Sequence, residues 1–327
     1  MNLSRRALLN LLPLLATSAG AQSRADDDKW PKRLIRFILS AAPGSAGDTV
    51  SRIVVHHLAE RLGQQFVIEN RAAVGGTLAA EDLARAAPDG YTIGNATTST
   101  HVIAKLFDAD LPYDPVKDFV PISMIGSSPY VLAIYPGLPA KNIADLIAIA
   151  KSSPQPLNSA AFGTTTLGYL ASVLFAQQTG ITLNQVSYRS SAQAVLDVVA
   201  GRVEMQFSTL PPAVPLIRDG KLRALATTGL QRVSTLPEIP TLAESGLAGF
   251  DVALWIGIAA PAGFPPAIAA KLNREVTAIL NSPEAREALL QQGFIAEPAP
   301  PDYLAGRIDG DLKKWRAALA NSGIVAQ

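Results

Sequence analysis

Apolar residues along this chain follow two different periods, which predict two kinds of secondary structure. Short apolar runs predict strands, and longer segments with apolar residues every three or four positions predict helices. We expect strands at 34–39, 66–68, 91–93 and 203–208 and near residues 157 and 186, and helices at 50–62, 77–85, 192–200, 265–281, 283–292 and 302–321. Strands that alternate with helices predict βαβ units and parallel sheets, and hence an α/β protein.

The first 21 residues have the pattern of an export signal. Arg5 and Arg6 precede an apolar stretch at about 7–16, which is too short to span a bilayer, and the small residues at 19–21 suit cleavage after Ala21. The paired arginines fit either an ordinary Sec signal or a twin-arginine signal. We therefore expect residues 1–21 to be removed, residues 22–32 to form a short leader, and the mature protein to be exported.

Composition excludes several kinds of chemistry. The 327 residues include no Cys and three His, which argues against thiolate metal sites, a Cys nucleophile and a His-rich metal centre, so we expect no metal and no cofactor. The formal net charge of +1 becomes −1 once Arg5 and Arg6 are removed, and neither value favours nucleic acid as a partner. The length suits two domains, and because no Pro/Gly-rich linker separates them, crossing strands should join them.

Hydrolase motifs are present only in part. The run Gly44-Ser45-Ala46-Gly47 has Pro43 where a nucleophile elbow needs glycine. Residues 163–168 have the glycine spacing of a P-loop, but Tyr169 occupies the lysine position. An exported hydrolase stays an alternative, and it would require Ser45 or a threonine of 164–166 to lie beside His101.

Four predicted strands are followed by small polar turns, and each of these turns opens a helix. The turns comprise residues 40–48, 95–101, 160–166 and 188–191. Turns of this kind present backbone N–H groups and hydroxyls at a helix N-terminus, where the helix dipole favours an anion. In open parallel sheets they lie at the carboxyl ends of the strands, where ligands bind. The residues thus predict a two-lobed protein that binds a small carboxylate-bearing ligand.

A series of short motifs resembles one known family. The motifs are Glu69-Asn70-Arg71 with Gly75-Gly76, Pro88-Asp89-Gly90-Tyr91-Thr92, Tyr113-Asp114-Pro115, Gly220-Lys221-Leu222-Arg223-Ala224-Leu225-Ala226, Leu236-Pro237-Glu238-Ile239-Pro240-Thr241 and Ala260-Pro261-Ala262-Gly263. Their order, from about residue 30 to the C-terminus, is similar to that in the tripartite tricarboxylate transporter substrate-binding receptors, also called Bug proteins, of bacterial periplasms.

The resemblance implies a fold and a function. The fold is the type II periplasmic binding protein, an α/β architecture of two lobes with parallel-rich sheets joined by two crossover segments near 129–132 and 253–256. Lobe 1 would comprise 33–130 plus 256–327, and lobe 2 would comprise 131–255. The function is that of a non-enzymatic, monomeric periplasmic receptor, which closes on a small organic acid and serves the membrane components of a tripartite transporter. A ligand-sensing lobe for a signalling partner is the alternative.

The expected site combines the polar turns with one further strand position. The residues are Ala41, Ala42, Gly44, Ser45, Ala46, Asp48, Ser99, His101, Gly163, Thr164, Thr165, Thr166, Ser190 and Ser208. Asp48 either contacts the ligand or caps the first helix and orders its loop, and Trp255 either packs in the hinge or lines the pocket. Ala41, Ser45 and Ser208 depart from the residues usual in the family, which predicts an altered pocket and leaves the ligand's identity open.

Overall fold

A computed structural model of the chain describes residues 30–72, 76–161, 166–188 and 191–320, with the backbone alone at 191 and 192. The predicted signal peptide and most of the predicted leader lie outside these residues. Within the described part, no helix combines the length and the apolar character needed to cross a membrane.

The first part of the chain forms a parallel sheet with connecting helices. Strand β1 (Ile35–Leu39) pairs in parallel with β2 (Phe66–Asn70) on one side and with β3 (Thr92–Thr97) on the other. Helix α1 (Ala46–Leu62) connects β1 to β2, and α2 (Thr77–Ala84) precedes β3. These elements confirm the predicted βαβ units, and a glycine in the left-handed conformation ends α1 as expected.

The prediction of a polar turn beginning at residue 95 is wrong. Residues 95–97 continue β3, because they pair in antiparallel fashion with a strand from late in the chain, β9 (Ala253–Pro261). Asn95 is buried in this pairing, and its Oδ1 accepts a hydrogen bond from the Ser40 amide at 2.9 Å. The sheet therefore accommodates a polar residue that, judged by polarity alone, belongs in a turn.

Two long antiparallel strands join the two halves of the fold. Strand β4 (Phe119–Ile134) pairs with β9 as far as Pro129. From Tyr130 onwards it pairs instead with β7 (Met205–Thr209) and β8 (Arg223–Thr227). One strand thus passes from the first sheet into the second.

The buried Thr228 ties this passage to the segment that returns to the first sheet. Its Oγ1 accepts a hydrogen bond from the Tyr130 amide at 2.8 Å, and its own amide donates to the Tyr130 carbonyl at 2.9 Å. Its carbonyl accepts from the amide of Val252, immediately before β9, at 2.9 Å. The two crossing segments are therefore fixed to each other at one residue.

The second half repeats the arrangement of the first. Strand β5 (Leu157–Ala161) pairs in parallel with β6 (Leu183–Ser187) and with β7, which begins later than predicted because residues 200–204 form a turn. The helices of this half are α4 (Ile143–Ser152), α5 (Leu167–Thr179), α6 (Ser191–Val199) and α7 (Leu210–Arg218). Two parallel-rich sheets joined by antiparallel crossing strands make up the predicted α/β architecture.

The C-terminal part is helical, as predicted. Helices α8 (Pro266–Leu280) and α9 (Pro283–Gln291) pack their apolar faces into the core of the first sheet. A two-residue strand, β10 (Ile295–Ala296), pairs with β4, and the long helix α10 (Pro301–Ala320) packs against β4 as well.

A buried polar cluster fixes α10 to the start of β9. Trp255 is 1% exposed, and its Nε1 donates to Asp311 Oδ2 at 2.8 Å. The same carboxylate accepts from Arg307 Nε at 3.2 Å and from Lys314 Nζ at 2.7 Å, and Arg307 also pairs with Asp251 at 2.9 Å. Burial would lower the pKa of Arg307, but the two carboxylates outweigh it and raise that pKa. Trp255 therefore packs in the core between β9 and α10, and it does not line the cavity described below.

Candidate functional site

A cavity of about 670 Å³ opens between the two halves of the fold. Small-ligand sites usually have volumes of about 300–1,000 Å³. One side of the cavity comes from residues at the ends of α2 and β3, and the other comes from the carboxyl ends of β5 and β7 and the helices that follow them. The cavity therefore lies where both sheets present the ends of their strands.

Three helices begin at the cavity wall. Helix α5 starts after Thr166, whose Oγ1 accepts the Tyr169 amide at 3.4 Å, and Gly168 in its first turn also lines the cavity. Helix α7 starts after Thr209, and α2 starts at Thr77. The first backbone N–H groups of a helix have no acceptor within the helix, and the dipole there favours negative charge. In α7 the first turn contains Pro211 and Pro212, which have no N–H, so these donors come from α5 and α2, and the wall that α5 and α2 form suits an anionic group.

Two buried side chains at the cavity carry polar atoms that have no hydrogen-bond partner among the described residues. Tyr130 is 7% exposed and Gln206 is 5% exposed, and both line the cavity. Burial raises the pKa of the Tyr130 phenol, which is therefore a protonated donor at neutral pH. Although the two residues are buried, these polar atoms are not fully enclosed, so a ligand in the cavity can reach them. A ligand with acceptor oxygens would satisfy both side chains.

The remaining wall is largely apolar. A π-helical segment (Ser99–Ile103) runs on into helix α3 (Ala104–Phe107), and this helical stretch carries Ser99, Ile103 and Phe107 along the cavity. Phe207 and Leu254 add further apolar surface from the other strands. The cavity can thus hold a ligand that has both an anionic group and an apolar body.

Gly168 is a position where the wall leaves no room for a side chain. A Cβ at this glycine would lie 3.1 Å from the Phe207 carbonyl oxygen and 3.2 Å from Cε1 of the Tyr130 ring. Both distances are tighter than ordinary van der Waals contact. The glycine therefore lets the first turn of α5 approach the tyrosine that lines the cavity.

The predicted first loop lies outside the wall of the cavity and is held by its own hydrogen bonds. The Ser45 Oγ accepts the Asp48 amide at 3.3 Å and so caps α1, while Asp48 Oδ2 accepts the Gly44 amide at 2.9 Å. Asp48 Oδ1 accepts from Arg52 Nε at 2.9 Å and from Asn70 Nδ2 at 2.8 Å. Burial would raise the pKa of the Asp48 carboxyl, but these hydrogen bonds outweigh it and lower that pKa. The contacts of Asp48 are therefore those of a residue that orders its loop.

The other residues of this loop are Ala41, Ala42 and Ala46. The Ala41 carbonyl accepts a hydrogen bond from Asn70 Nδ2 at 2.8 Å, while Ala42 and Ala46 are exposed. Because Ser40 packs against Gly76 at the start of α2, the loop lies close to the end of the cavity that α2 forms.

The hydrolase alternative finds no support in the described residues. His101 is fully buried, its Nδ1 lies 2.9 Å from the hydroxyl of the equally buried Thr100, and its ring packs 4.6 Å from that of Phe119. Burial lowers the pKa of His101 to about 3, so the imidazole is neutral at physiological pH. The hydroxyls of Ser45 and Thr166 act as helix caps instead of facing a base.

The predicted site residues thus fall into distinct groups. Ser99 and Thr166 line the cavity, whereas Ser208 is buried in β7, where its Oγ donates to the Thr209 carbonyl at 3.2 Å. The remaining predicted positions, Gly163, Thr164, Thr165 and Ser190, lie outside the described residues.

Sequence reasoning missed the most informative polar residues of the cavity. Gln206 lies in the predicted strand 203–208, between the apolar residues Met205 and Phe207. A polar residue between buried neighbours in this strand is the one signal in the sequence that could have indicated it. Tyr130 falls inside the first expected crossover. Phe107 and Leu254 carry no local signal, because only the tertiary fold brings them to the same cavity.

Comparisons with known proteins agree with this geometry. The family model for the tripartite tricarboxylate transporter family receptor matches residues 50–323. Protein BugT of Bordetella pertussis is 33% identical over 99% of both chains. A structure of R. palustris Rpa4515 with adipate has a TM-score of 0.75 at 32% identity, covering 90% of this chain and 99% of that one. MatC of Rhodopseudomonas palustris with bound malate has a TM-score of 0.70 at 31% identity, covering 89% and 100%.

The match extends over most of the chain, and the solved relatives share its two-sheet α/β architecture, the type II periplasmic-binding-protein fold. The chain therefore belongs to the tripartite tricarboxylate transporter receptor family, the Bug proteins.

Proposed function

We propose that this protein is a periplasmic receptor for a small carboxylate-bearing ligand, which it hands to the membrane components of a tripartite tricarboxylate-type transporter. The observation that carries the proposal is the pair of buried side chains without a hydrogen-bond partner among the described residues, Tyr130 and Gln206, in a cavity where α2 and α5 begin. Those donors match the acceptor oxygens of a carboxylate. The relatives solved with adipate and with malate support the same ligand class.

The receptor works by closure of two lobes around the ligand. Lobe 1 is residues 33–130 plus 256–327 and lobe 2 is residues 131–255, and both contribute to the cavity wall. In support, β4 changes its partner strands between Pro129 and Tyr130, so that the backbone can bend there without breaking either sheet. Closure excludes water and strengthens hydrogen bonds to the carboxylate.

The ligand-binding set combines the cavity with the turns predicted from the sequence. Ser99, Thr166, Tyr130 and Gln206 contact the ligand directly. The loop at 41–48 approaches it from lobe 1 when the lobes close, with Asp48 holding the loop in shape. The chain reaches the periplasm through cleavage after Ala21 and acts there as a monomer, without cofactor and without catalysis.

The test is binding by the mature chain after any co-purified ligand has been removed by unfolding and refolding. Thermal unfolding is recorded with monocarboxylates, dicarboxylates, amino acids and aromatic acids, and each positive acid is repeated as its uncharged amide. We expect at least one acid to raise the midpoint by several degrees and its amide to have no effect. A correctly refolded protein that responds to no acid, or equally to acid and amide, would refute the proposal.

A further inference from the structure

The cavity follows one face of the helical segment that begins at Ser99. Ser99, Ile103, Ala104 and Phe107 line it, a spacing that places them on the same side of a helix, and Asp108 lines it immediately after the helix ends. At 1.5 Å per residue, the distance from Ser99 to Phe107 is about 12 Å. The cavity therefore extends at least from Ser99 to Asp108 along this helical stretch, and these two residues define what we call its Ser99 end and its Asp108 end.

The two ends of this cavity differ in electrostatic character. The Ser99 end lies at the N-terminus of the segment and close to the start of α2, because a Cβ at Gly76 would lie 3.2 Å from Cγ2 of Thr100. The Asp108 end lies at the C-terminus of α3, where the helix dipole is negative, and the carboxylate of Asp108 adds a full negative charge. One end therefore favours an anion and the other repels one.

Nothing in the described wall compensates Asp108. Its Oδ1 accepts the Asp110 amide at 3.0 Å, and no described Lys or Arg forms an ion pair with it. Among the described residues that line the cavity there is no basic side chain, and Asp108 is the sole carboxylate. Asp108 is exposed, so solvent and salt screen part of its charge, but a second anionic group on an extended ligand would still approach it with no protein counter-ion among the described residues of the wall.

Most of the cavity surface is apolar. Ile103 and Phe107 line the cavity from the helical stretch, Leu254 lines it from β9, and Phe207 lines it from β7. Burial of aliphatic or aromatic carbon against this surface contributes roughly 25 cal/mol per Å². The surface therefore favours a ligand with a hydrocarbon body.

Resting on the proposed function, we infer that the ligand is an extended monocarboxylate with an apolar body, and that Asp108 is the residue that selects against dicarboxylates. The single carboxylate is held by Tyr130, Gln206 and the N-termini of α2 and α5, and the uncharged end points to Asp108. In support, the Trp255 amide donates to Thr98 Oγ1 beside Ser99, and Pro129, next to Tyr130, pairs with Ala253 in the same strand as Trp255. This selectivity differs from that suggested by the relatives solved with adipate and malate, which are dicarboxylates.

The experiment is calorimetric titration of the refolded, ligand-free chain with pairs of acids of equal length: butyrate and succinate, hexanoate and adipate, octanoate and suberate. We expect the best monocarboxylate to bind at least tenfold more tightly than its dicarboxylate partner. In Asp108→Asn this ratio should fall by roughly three- to tenfold, mainly because the dicarboxylate binds better, whereas in Asp302→Asn, an exposed carboxylate distant from the cavity wall, it should not change.

Two further measurements distinguish an effect of the Asp108 charge from a general change in the structure of the variant. The advantage of the monocarboxylate should shrink in high salt, because a charge at the cavity mouth is screened. The cationic analogue 6-aminohexanoate should lose affinity in Asp108→Asn while hexanoate does not. Tighter binding of the dicarboxylates by the wild-type chain, or the same ratio in Asp108→Asn, would overturn the inference and leave the receptor function standing. Failure of every acid, in these pairs and in the broader screen, would overturn both.

Discussion

Replacing Gln206 with methionine should separate the stability of the fold from its ability to bind ligand. Gln206 lies in β7, is 5% exposed, lines the cavity and makes no side-chain hydrogen bond with the described residues. Methionine has a similar length and volume and is unbranched, so it can occupy the same space while removing the amide. The substitution therefore deletes one hydrogen-bonding group and little else.

The expected effect on binding is large and the expected effect on stability is small. A hydrogen bond to a charged group contributes about 1.5–3 kcal/mol, so its loss should raise the Kd for the preferred carboxylate by roughly 10- to 150-fold. In the free protein the amide opens onto the cavity and has no protein partner to lose. The free energy of unfolding should therefore stay within about 1 kcal/mol of the wild-type value, or rise.

The assay is calorimetric titration together with chemical unfolding of the free protein, for the wild type, Gln206→Met and Gln185→Met. Gln185 is the matched control, because its Oε1 is buried without a partner in β6 while the residue does not line the cavity. We expect Gln185→Met to leave the Kd unchanged. If Gln206→Met bound the carboxylate as tightly as the wild type, or lost both binding and several kcal/mol of stability, the assignment of Gln206 would be wrong.

Three further predictions concern the buried polar cluster around Asp311, the buried His101 and the cavity wall at Gly168. Asp311→Asn removes the charge that holds Trp255 and two cations, so it should lower the free energy of unfolding by about 3 kcal/mol in urea, while exposed Asp309→Asn has little effect. His101 takes up a proton below about pH 6.5 in the unfolded chain but only near pH 3 in the folded protein. Acidification from pH 7.5 to 5 should therefore lower the free energy of unfolding of the wild type by ~2 kcal/mol more than that of His101→Gln. Equal losses in the two proteins would contradict the burial of His101 as a neutral ring. Gly168→Ala should displace the neighbouring tyrosine and weaken carboxylate binding about tenfold with a smaller loss of thermal stability, and unchanged affinity would show that the ring does not touch the ligand.

The strands and helices that were predicted correctly are those determined by the pattern of apolar residues close together in the chain. The run 34–39 is apolar enough to predict a buried strand, and the period of 50–62 predicts a helix that its glycine cap then ends. The same patterns did not predict a strand at 95–97, because Asn95 is polar although it is buried, and the segment is held as strand by pairing with β9, which lies about 160 residues later. Pairing at that separation leaves no trace in a window of ten residues.

In the candidate site, too, some residues could be predicted from the local sequence and others could not. The Ser45–Asp48 spacing of a helix cap is a local motif, and the structure shows it acting as a cap. Thr166 and Ser99 were expected from polar turns before helices, and both line the cavity. Asp108 and Gln206, to which we assign the choice of ligand, lie far apart in the sequence, and only the tertiary fold brings them to the same cavity. Sequence alone could therefore indicate a carboxylate site but not the shape and charge of the cavity that holds it.

The central claim is that the cavity binds a carboxylate as such, and the most direct test compares an acid with its own amide. The refolded, ligand-free chain is titrated calorimetrically with hexanoate and with hexanamide, or with the corresponding pair for whichever acid gives the largest thermal shift. We expect saturable one-to-one binding of the acid, at least a hundredfold weaker binding of the amide, and a smaller difference between the two in Gln206→Met. Equal affinity for acid and amide in the wild-type chain would contradict it.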